Sequence, residues 1–305
     1  MIVYRELPSL CKDLGFSARA LYAASNTINK RYHKVRIPKA DGDYRELYVP
    51  DDFLKSIQRS IAKNILAYEP ISPYACAYRI NGSTALNACT HVGEPTILKL
   101  DIRKFFDHIT YPMVKEKVFP AEKYSEQNRI LLSILCVYLQ TVPQGAPTSP
   151  AISNIILREF DDRVGEWCKA RNINYTRYCD DMTFSGSFDA KELKQFVENE
   201  IQKEGFFINA KKTVVLHDGQ RKAVTGIVVN EKLSVPAEYK KDIRQIMYYC
   251  NKYGVIDHMM ANKIIGYKSD YLNVLLGKIN YVLSVEKSNK QFIEYRSQVK
   301  KWLAE

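Results

Sequence analysis

The segment INYTRYCDDMTFSG places two adjacent acids, Asp180 and Asp181, between runs of residues that favour β-strands. Because Asp tolerates the backbone of a tight turn, this pattern predicts a β-hairpin with both carboxylates at its tip. Upstream, the segment ILKLDIRKFFDHI has the pattern of a buried strand that ends at Asp101 and is followed by an aromatic pair. The two segments favour a fold in which the buried strand brings a third carboxylate to the hairpin.

Three carboxylates at strand ends provide the hard oxygen ligands that Mg²⁺ prefers. Two such ions, about 4 Å apart, can activate a 3′-hydroxyl and stabilise a leaving pyrophosphate. The backbone carbonyl of Ile102, next to Asp101, can add a neutral ligand. The sequence therefore predicts two Mg²⁺ ions held by Asp101, Ile102, Asp180 and Asp181.

Two other Asp-Asp pairs lack strand-like flanks. Asp51 and Asp52 follow a proline and have the pattern of a helix N-terminus, where acids complement the helix dipole. Asp161 and Asp162 lie in LREFDDRVGEW, which has helical periodicity. Both pairs are therefore predicted to lie on the surface.

Composition narrows the class of partner. The 305 residues include 45 basic and 34 acidic side chains, a net charge of +11, which suits a polyanion. The 21 tyrosines can stack on bases and sugars. Seven cysteines without a CxxC pair predict reduced, mostly buried thiols and no zinc site. No apolar run approaches the length of a membrane span and no signal peptide is evident, so we expect a cytoplasmic protein.

Hydrophobic periodicity predicts a mixed order of helices and strands. Residues 1–34 are expected to be helical, with Ser17 as an N-cap, and a hairpin with its turn at residues 41–43 follows. The further predicted elements are helices at 51–68, 124–140, 151–170 and 191–204, a buried strand at 96–102, strand pieces around 206–216 and 222–230, and a wholly helical, basic end from about residue 235.

The order of motifs is similar to that of reverse transcriptases, and among these it resembles the retron reverse transcriptases of bacteria. The matching pieces are LKLDIRKFF, TVPQGAPTSPAISNIIL, YCDD, GFFINAKKT and VTGIVVN. The motif NACTH at residues 87–91, together with VTG at residues 224–226, points to the retron branch. For His91 itself no chemical step can be derived.

The resemblance implies an α+β right-hand polymerase whose palm is an antiparallel sheet with a catalytic hairpin. We expect fingers and palm in residues 1–230 and a helical thumb that binds nucleic acid in residues 231–305. The implied activity is RNA-directed DNA polymerisation that uses dNTPs. Two alternatives remain open: another small bacterial reverse transcriptase, of the diversity-generating or abortive-infection type, and a non-catalytic RNA-binding protein with a polymerase-like fold.

The resemblance also assigns roles to residues around the incoming nucleotide. Phe106 matches the steric gate against a ribose 2′-hydroxyl, and a lysine after Gly205 would serve as general acid for the leaving pyrophosphate. Lys212 is preferred to its neighbour Lys211 for that role, without a firm choice. The nucleotide-binding set implied by the resemblance is Lys39, Arg45, Phe106, Gln144, Gly145 and Lys212.

The remaining implied contacts are with RNA and primer. Tyr178 and Gly226 match positions next to the primer, and basic residues of the C-terminal helices can track phosphates: Lys240, Lys241 and Arg244. The retron resemblance implies a structured non-coding RNA as both template and primer, a branched RNA–DNA product (msDNA), and a role in phage defence with an effector protein. Because the chain leaves no room for an RNase H domain, we expect template removal by a host RNase H.

Overall fold

The structure is a computed structural model that describes residues 3–38 and 42–305. The α-helices of these ranges are α1 (Leu7–Leu14), α2 (Ala18–Asn26), α3 (Asp52–Asn64), α4 (Thr84–Cys89), α5 (Tyr111–Met113), α6 (Glu126–Cys136), α7 (Ser149–Ile156), α8 (Arg158–Lys169), α9 (Ala190–Lys203), α10 (Ala237–Tyr253), α11 (Val255–Ala261), α12 (Lys268–Val285) and α13 (Lys290–Ala304). The strands are β1 (Tyr32–Pro38), β2 (Tyr44–Pro50), β3 (Thr96–Asp101), β4 (Asn174–Tyr178), β5 (Asp181–Gly186), β6 (Val214–Leu216), β7 (Ala223–Val224) and β8 (Ile227–Val228).

The chain divides into two compact units. One comprises Met1–Gly82 and Leu98–Val215, and the other comprises Ser83–Ile97 and Leu216–Glu305. The fold mixes helices with antiparallel hairpins, among them β4–β5 in the first unit, and its C-terminal part is helical. The functional division near residue 230 stays a prediction, because compact units need not coincide with fingers, palm and thumb.

A four-stranded sheet in the order β4-β5-β3-β6 forms the centre of the first unit. In β3, Leu98 and Leu100 are buried in the core of this unit. The helices α7, α8 and α9 contribute Ile152, Phe160 and other buried side chains to the same core. The hairpin predicted around residues 41–43, called the fingers hairpin below, pairs β1 with β2; Asp41 of its predicted turn lies outside the described residues.

The second unit contains two apolar clusters. A small one joins α4 to the β7–β8 hairpin through Ala88, Val224 and Ile227. A larger one packs the C-terminal helices together around Met247 and Ile279, among others. None of the helices in the described ranges is both long and apolar enough to cross a membrane.

Some predicted boundaries were wrong. Residues 1–34 are not helical to their end, since β1 begins at Tyr32 where it pairs with β2. The predicted helix 151–170 is two helices, α7 and α8, joined at Leu157, whose ψ of 5° redirects the chain while the apolar spacing continues. By contrast, Ser17 caps α2 as predicted, since its side chain accepts from the Ala20 N–H at 3.2 Å. All seven cysteines are free thiols, and five of them are buried.

Candidate active site

The hairpin β4–β5 brings the two adjacent acids to a tight turn. Tyr178 pairs with Asp181, which leaves Cys179 and Asp180 as the two loop residues. Cys179 has a φ of +61°, the left-handed conformation that hairpin turns require at their first loop position and that usually selects glycine. The predicted hairpin is therefore observed, with the two acids at its tip. Its turn strains Cys179, because a positive φ is unfavourable for a residue with a Cβ.

The third acid meets the tip through backbone hydrogen bonds. Asp101 is the last residue of β3, and the N–H of the next residue, Ile102, donates to the carbonyl oxygen of Asp180 at 3.0 Å. The Asp101 side chain is buried, with a residue exposure of 5%. The structure thus places the end of β3, which carries Asp101, against the hairpin turn, which carries Asp180.

Two side chains from the segment after α9 bind Asp101. The Lys212 Nζ lies 2.6 Å from Asp101 Oδ2, and Asn209 Nδ2 donates to Oδ1 at 3.1 Å. The bond to Asp101 raises the pKa of the Lys212 ammonium above its usual value, so the side chain is protonated at neutral pH. Of the two candidate lysines, Lys212 is the one whose ammonium binds Asp101, and its role as general acid stays a prediction.

The acidic cluster shows the electrostatic cost of gathering like charges. Burial, followed by the nearby charge of Asp180, raises the pKa of Asp181; Asp101 adds to the effect, while Lys99 and Lys212 oppose it. A cation among these carboxylates would relieve this repulsion.

The fit of a divalent cation follows from the donor set. The three side chains are carboxylates, the ligand type that Mg²⁺ prefers. In the described parts of the chain no group of three or more His, Cys, Asp or Glu side chains is arranged so that it could already hold a metal ion. Here the positive charge next to Asp101 is the Lys212 ammonium. The residues fit a divalent cation in chemistry, and a cation bound at Asp101 Oδ2 would displace that ammonium.

A buried polar network that the sequence did not predict contacts the hairpin turn. The prediction that Asp161 is a surface residue was wrong: Asp161 and Arg177 both have an exposure of 0%. Arg177 Nη2 lies 2.6 Å from Asp161 Oδ2, and the Tyr175 hydroxyl donates to Oδ1 at 2.7 Å. Helical periodicity could not reveal this burial, because the partner that makes it tolerable lies in β4.

The loop TVPQGAPTSP packs against the fingers hairpin. The Gln144 carbonyl accepts from the Tyr48 N–H at 2.9 Å. Gly145 has a φ of +119°, and a Cβ at this position would stand 2.9 Å from the Tyr48 carbonyl oxygen. This close approach gives Gly145 a structural reason to be glycine, while its contact with nucleotide stays a prediction.

The other nucleotide-binding candidates differ in what surrounds them. Arg45 is exposed on β2, paired in register with Ile37. Lys39 lies outside the described residues. Phe105 is buried in the core, whereas its neighbour Phe106 is only half-buried, with ring centroids 5.2 Å apart. Of the two phenylalanines, Phe106 is thus the one that is partly exposed to solvent.

The two motifs that pointed to the retron branch pack on each other. Gly226, with a φ of +81°, and Thr225, with a φ of +46°, form the turn between β7 and β8. The Thr225 hydroxyl donates to the carbonyl of Thr84 at the start of α4, and Val224 packs on Ala88. The co-occurrence of NACTH and VTG has a structural basis, and primer contact by Gly226 stays a prediction.

His91 is fully buried next to this hairpin, and burial lowers its pKa to about 4. In the unfolded chain His91 binds a proton below about pH 6.5, whereas in the folded protein it does so only below about pH 4. The titration of His91 therefore leaves the free energy of unfolding unchanged above pH 6.5 and lowers it as the pH falls below that value. We expect the difference to reach about 2 kcal/mol at pH 5.

Denaturant unfolding of the wild-type protein and His91→Gln, at about pH 7.5 and about pH 5, measures this contribution. The stability of the wild-type protein should fall more steeply between the two conditions than that of the variant. Equal pH dependence in the two proteins would show that His91 does not titrate in this way.

The three basic residues predicted to bind RNA phosphates differ in the contacts that they make within the protein. Lys240 Nζ lies 2.6 Å from the Glu286 carboxylate, so its charge is already paired within the unit. Arg244 Nε donates to Gln291 at 2.8 Å. Lys241 is exposed on the same helix, α10. A phosphate would have to compete with Glu286 for Lys240, whereas Lys241 and Arg244 are both exposed.

Comparisons with known proteins identify the family of this chain. The family "Reverse transcriptase (RNA-dependent DNA polymerase)" matches residues 37–248. The retron Ec86 reverse transcriptase of Escherichia coli is 31% identical, over 98% of this chain and 91% of that protein. The retron Mx65 reverse transcriptase of Myxococcus xanthus is 30% identical, over 81% of this chain and 63% of that one. Among solved structures, telomerase from Candida albicans in complex with a TWJ fragment of telomeric RNA has a TM-score of 0.48, at 12% identity, over 96% of this chain and 61% of that one.

Proposed function

Because this chain belongs to the reverse transcriptase family and is an RNA-directed DNA polymerase of the retron type, we propose that it copies a dedicated structured RNA into DNA and uses the same RNA as primer. The product is a branched RNA–DNA molecule, msDNA. The observation that carries this proposal is the likeness to a retron enzyme over 98% of the chain, together with the meeting of Asp101, Asp180 and Asp181 at one hairpin tip.

The three aspartates are proposed as the catalytic residues. Reverse transcriptases as a family depend on divalent metal; we propose two Mg²⁺ ions, held by these aspartates and the Ile102 carbonyl. When bound, the ions promote attack by the primer hydroxyl and neutralise the charge of the leaving pyrophosphate. The raised pKa of Asp181 supports this role, because burial and the charge of Asp180 disfavour its anion and a bound cation would offset both effects.

Lys212 is proposed to supply a proton. Its ammonium is protonated at neutral pH because Asp101 raises its pKa. The side chain is largely exposed, with 61% of its surface accessible, and can therefore swing from Asp101 to a ligand. Proton donation from Nζ to the departing pyrophosphate then stabilises its negative charge.

The incoming dNTP is proposed to lie between the fingers and the carboxylates. Arg45, and with it Lys39, would bind the β- and γ-phosphates, and a guanidinium fork suits such oxygens. Gln144 and Gly145 form the loop that packs on the fingers hairpin at Tyr48, which supports a place for them beside the nucleotide. Phe106 presents its half-buried ring against the sugar.

RNA and DNA are the nucleic acid partners of a retron-type polymerase. We propose that Tyr178 and Gly226 contact the primer strand and that Lys241 and Arg244 bind phosphates of the RNA, with Lys240 contributing only when it leaves Glu286. Further proposed partners are an effector protein in phage defence and a host RNase H that removes copied template. A cytoplasmic location fits these partners.

The test is to isolate the nucleic acid that copurifies with the protein from cells. We expect one abundant structured RNA joined to single-stranded DNA, because a primer hydroxyl within the RNA starts the DNA strand. The joint should survive denaturing separation and yield to a debranching nuclease specific for 2′–5′ links. A mixed RNA population without branched product would reject the retron-type priming and favour a diversity-generating or abortive-infection enzyme, while leaving the polymerase activity standing.

A further inference from the structure

We propose that the buried Asp161–Arg177 ion pair is a positioning device that fixes the hairpin tip and thereby aims Asp180 and Asp181. The proposal rests on the proposed function only in that it takes these two aspartates as catalytic. Neither Asp161 nor Arg177 touches the reacting groups; both would act through the backbone of Cys179.

The geometry of the pair is that of a fork. Arg177 Nε lies 2.8 Å from Asp161 Oδ1, and Nη2 lies 2.6 Å from Oδ2, so two parallel hydrogen bonds join the side chains. The Tyr175 hydroxyl and Asn154 Oδ1 complete the shell, at 2.7 Å from Asp161 and 3.2 Å from Arg177. With both partners fully buried, this arrangement holds the guanidinium in one orientation.

The remaining arm of the fork reaches the hairpin tip. Arg177 Nη1 donates to the carbonyl oxygen of Cys179 at 2.8 Å. Cys179 has the positive φ that strains a residue with a Cβ, and such a conformation persists only where its surroundings enforce it. The carbonyl that Arg177 binds belongs to the peptide bond between Cys179 and Asp180. Holding this carbonyl in place therefore restricts the backbone that carries the Asp180 carboxylate.

A second contact holds the side chain of the same residue. The Tyr78 hydroxyl donates to Cys179 Sγ at 3.4 Å. The chain leading to Tyr78 is tied to Arg177, whose N–H donates to the Tyr74 carbonyl and whose carbonyl accepts from the Cys76 N–H, both at 2.8 Å. Hydrogen bonds therefore hold both the carbonyl and the thiol of Cys179. The segment that carries Tyr78 is itself hydrogen-bonded to the backbone of Arg177.

Stability alone does not account for an ion pair at this depth. The cost of dehydrating both charges offsets their attraction, and well-packed apolar residues of similar volume are often as stabilising or more so. An apolar pair cannot donate a hydrogen bond to the Cys179 carbonyl. A lysine would supply a point charge in place of the planar fork that binds Asp161 and Cys179 together. The property specific to this pair is thus its hold on the tip.

The deciding variant replaces the ion pair and the Tyr175 hydroxyl with apolar groups and keeps Asn154: Asp161→Leu, Tyr175→Phe and Arg177→Met in one protein. Removing all the charges avoids leaving one of them buried and unpaired. We expect this protein to fold and to bind RNA as the wild type does, with kcat for dNTP addition lowered about 10²-fold, because small misplacements of catalytic groups have effects of that size. The KM for dNTP should change little.

A readout independent of catalysis is the alkylation rate of Cys179, followed by peptide mass spectrometry. Cys179 is buried, with an exposure of 8%. Release of the tip should expose the thiol and raise its alkylation rate about tenfold. This measurement needs no metal, primer or template, so it separates failure of the positioning proposal from failure of the proposed function.

Two controls surround the triple variant. Tyr175→Phe alone removes one bond to Asp161 but keeps the Arg177 bond to Cys179, and should retain wild-type kcat. Replacing a largely buried ion pair elsewhere in the unit, Glu69→Leu with Lys123→Met, should likewise leave kcat and Cys179 alkylation unchanged.

A folded triple variant with kcat within about twofold of the wild type and unchanged alkylation would overturn the proposal. If the triple variant does not fold, Arg177→Lys decides, since it retains a buried charge for Asp161 but lacks the fork. In that variant kcat should fall and alkylation should rise while RNA binding persists; wild-type values of both would again overturn the proposal.

Discussion

Asp180→Asn is expected to lower dNTP incorporation on an RNA template by about 10³-fold or more, the size of effect seen when a preorganised electrostatic contact is lost. The substitution removes one negative charge from the cluster and replaces a good ligand for divalent cations with a poor one. The backbone is spared, because the bond from the Ile102 N–H is to the Asp180 carbonyl and not to its side chain. Primer-extension rates with Mg²⁺ measure the effect.

Folding and RNA binding should persist in this variant. The charge of Asp180 raises the pKa of Asp181, so its removal relieves repulsion, and the melting temperature should be equal to or higher than that of the wild type. Asp162→Asn is the matched control. Asp162 is the second acid of another Asp-Asp pair, and no role is predicted for it. Near-normal extension by Asp180→Asn would refute the proposed site.

Phe106→Ala is expected to raise the use of rNTPs relative to dNTPs by roughly 10- to 100-fold, expressed as the ratio of kcat/KM values. The half-buried ring would no longer exclude a 2′-hydroxyl. Because Phe106 is only partly buried against the core that Phe105 fills, the alanine variant should fold. Single-nucleotide incorporation with matched dNTP and rNTP measures the ratio.

Phe106→Tyr keeps the bulk of the ring and should keep the wild-type preference for dNTPs. An unchanged ratio in folded Phe106→Ala would assign Phe106 to packing alone. The outcome bears on sugar selection only, since Asp101, Asp180 and Asp181 are untouched by either substitution.

Local patterns predicted the elements that carry the site. The alternation around YCDD specified a hairpin, and the apolar run before Asp101 specified a buried strand; both are observed, with Asp101 at the strand end and Asp180 in the turn. Each of these signals lies within a few residues of chain, where spacing reflects secondary structure directly. Only the folded structure, in contrast, shows that the Lys212 ammonium reaches Asp101; the choice of Lys212 over Lys211 as proton donor stays a prediction.

The sequence by itself determined the class of chemistry, because acids at strand ends, an aromatic pair and a glutamine–glycine loop occur in the order of one polymerase family. It could not determine that Asp161 is buried. Periodicity reports which helix face is apolar, whereas burial of a charge depends on a partner that only the folded chain supplies, here Arg177. Tertiary structure likewise decided that Lys240 is paired with Glu286, that Gly145 makes room for the Tyr48 carbonyl, and that NACTH packs on VTG. In each case the deciding interaction joins residues far apart in the chain, and no local pattern encodes such a contact.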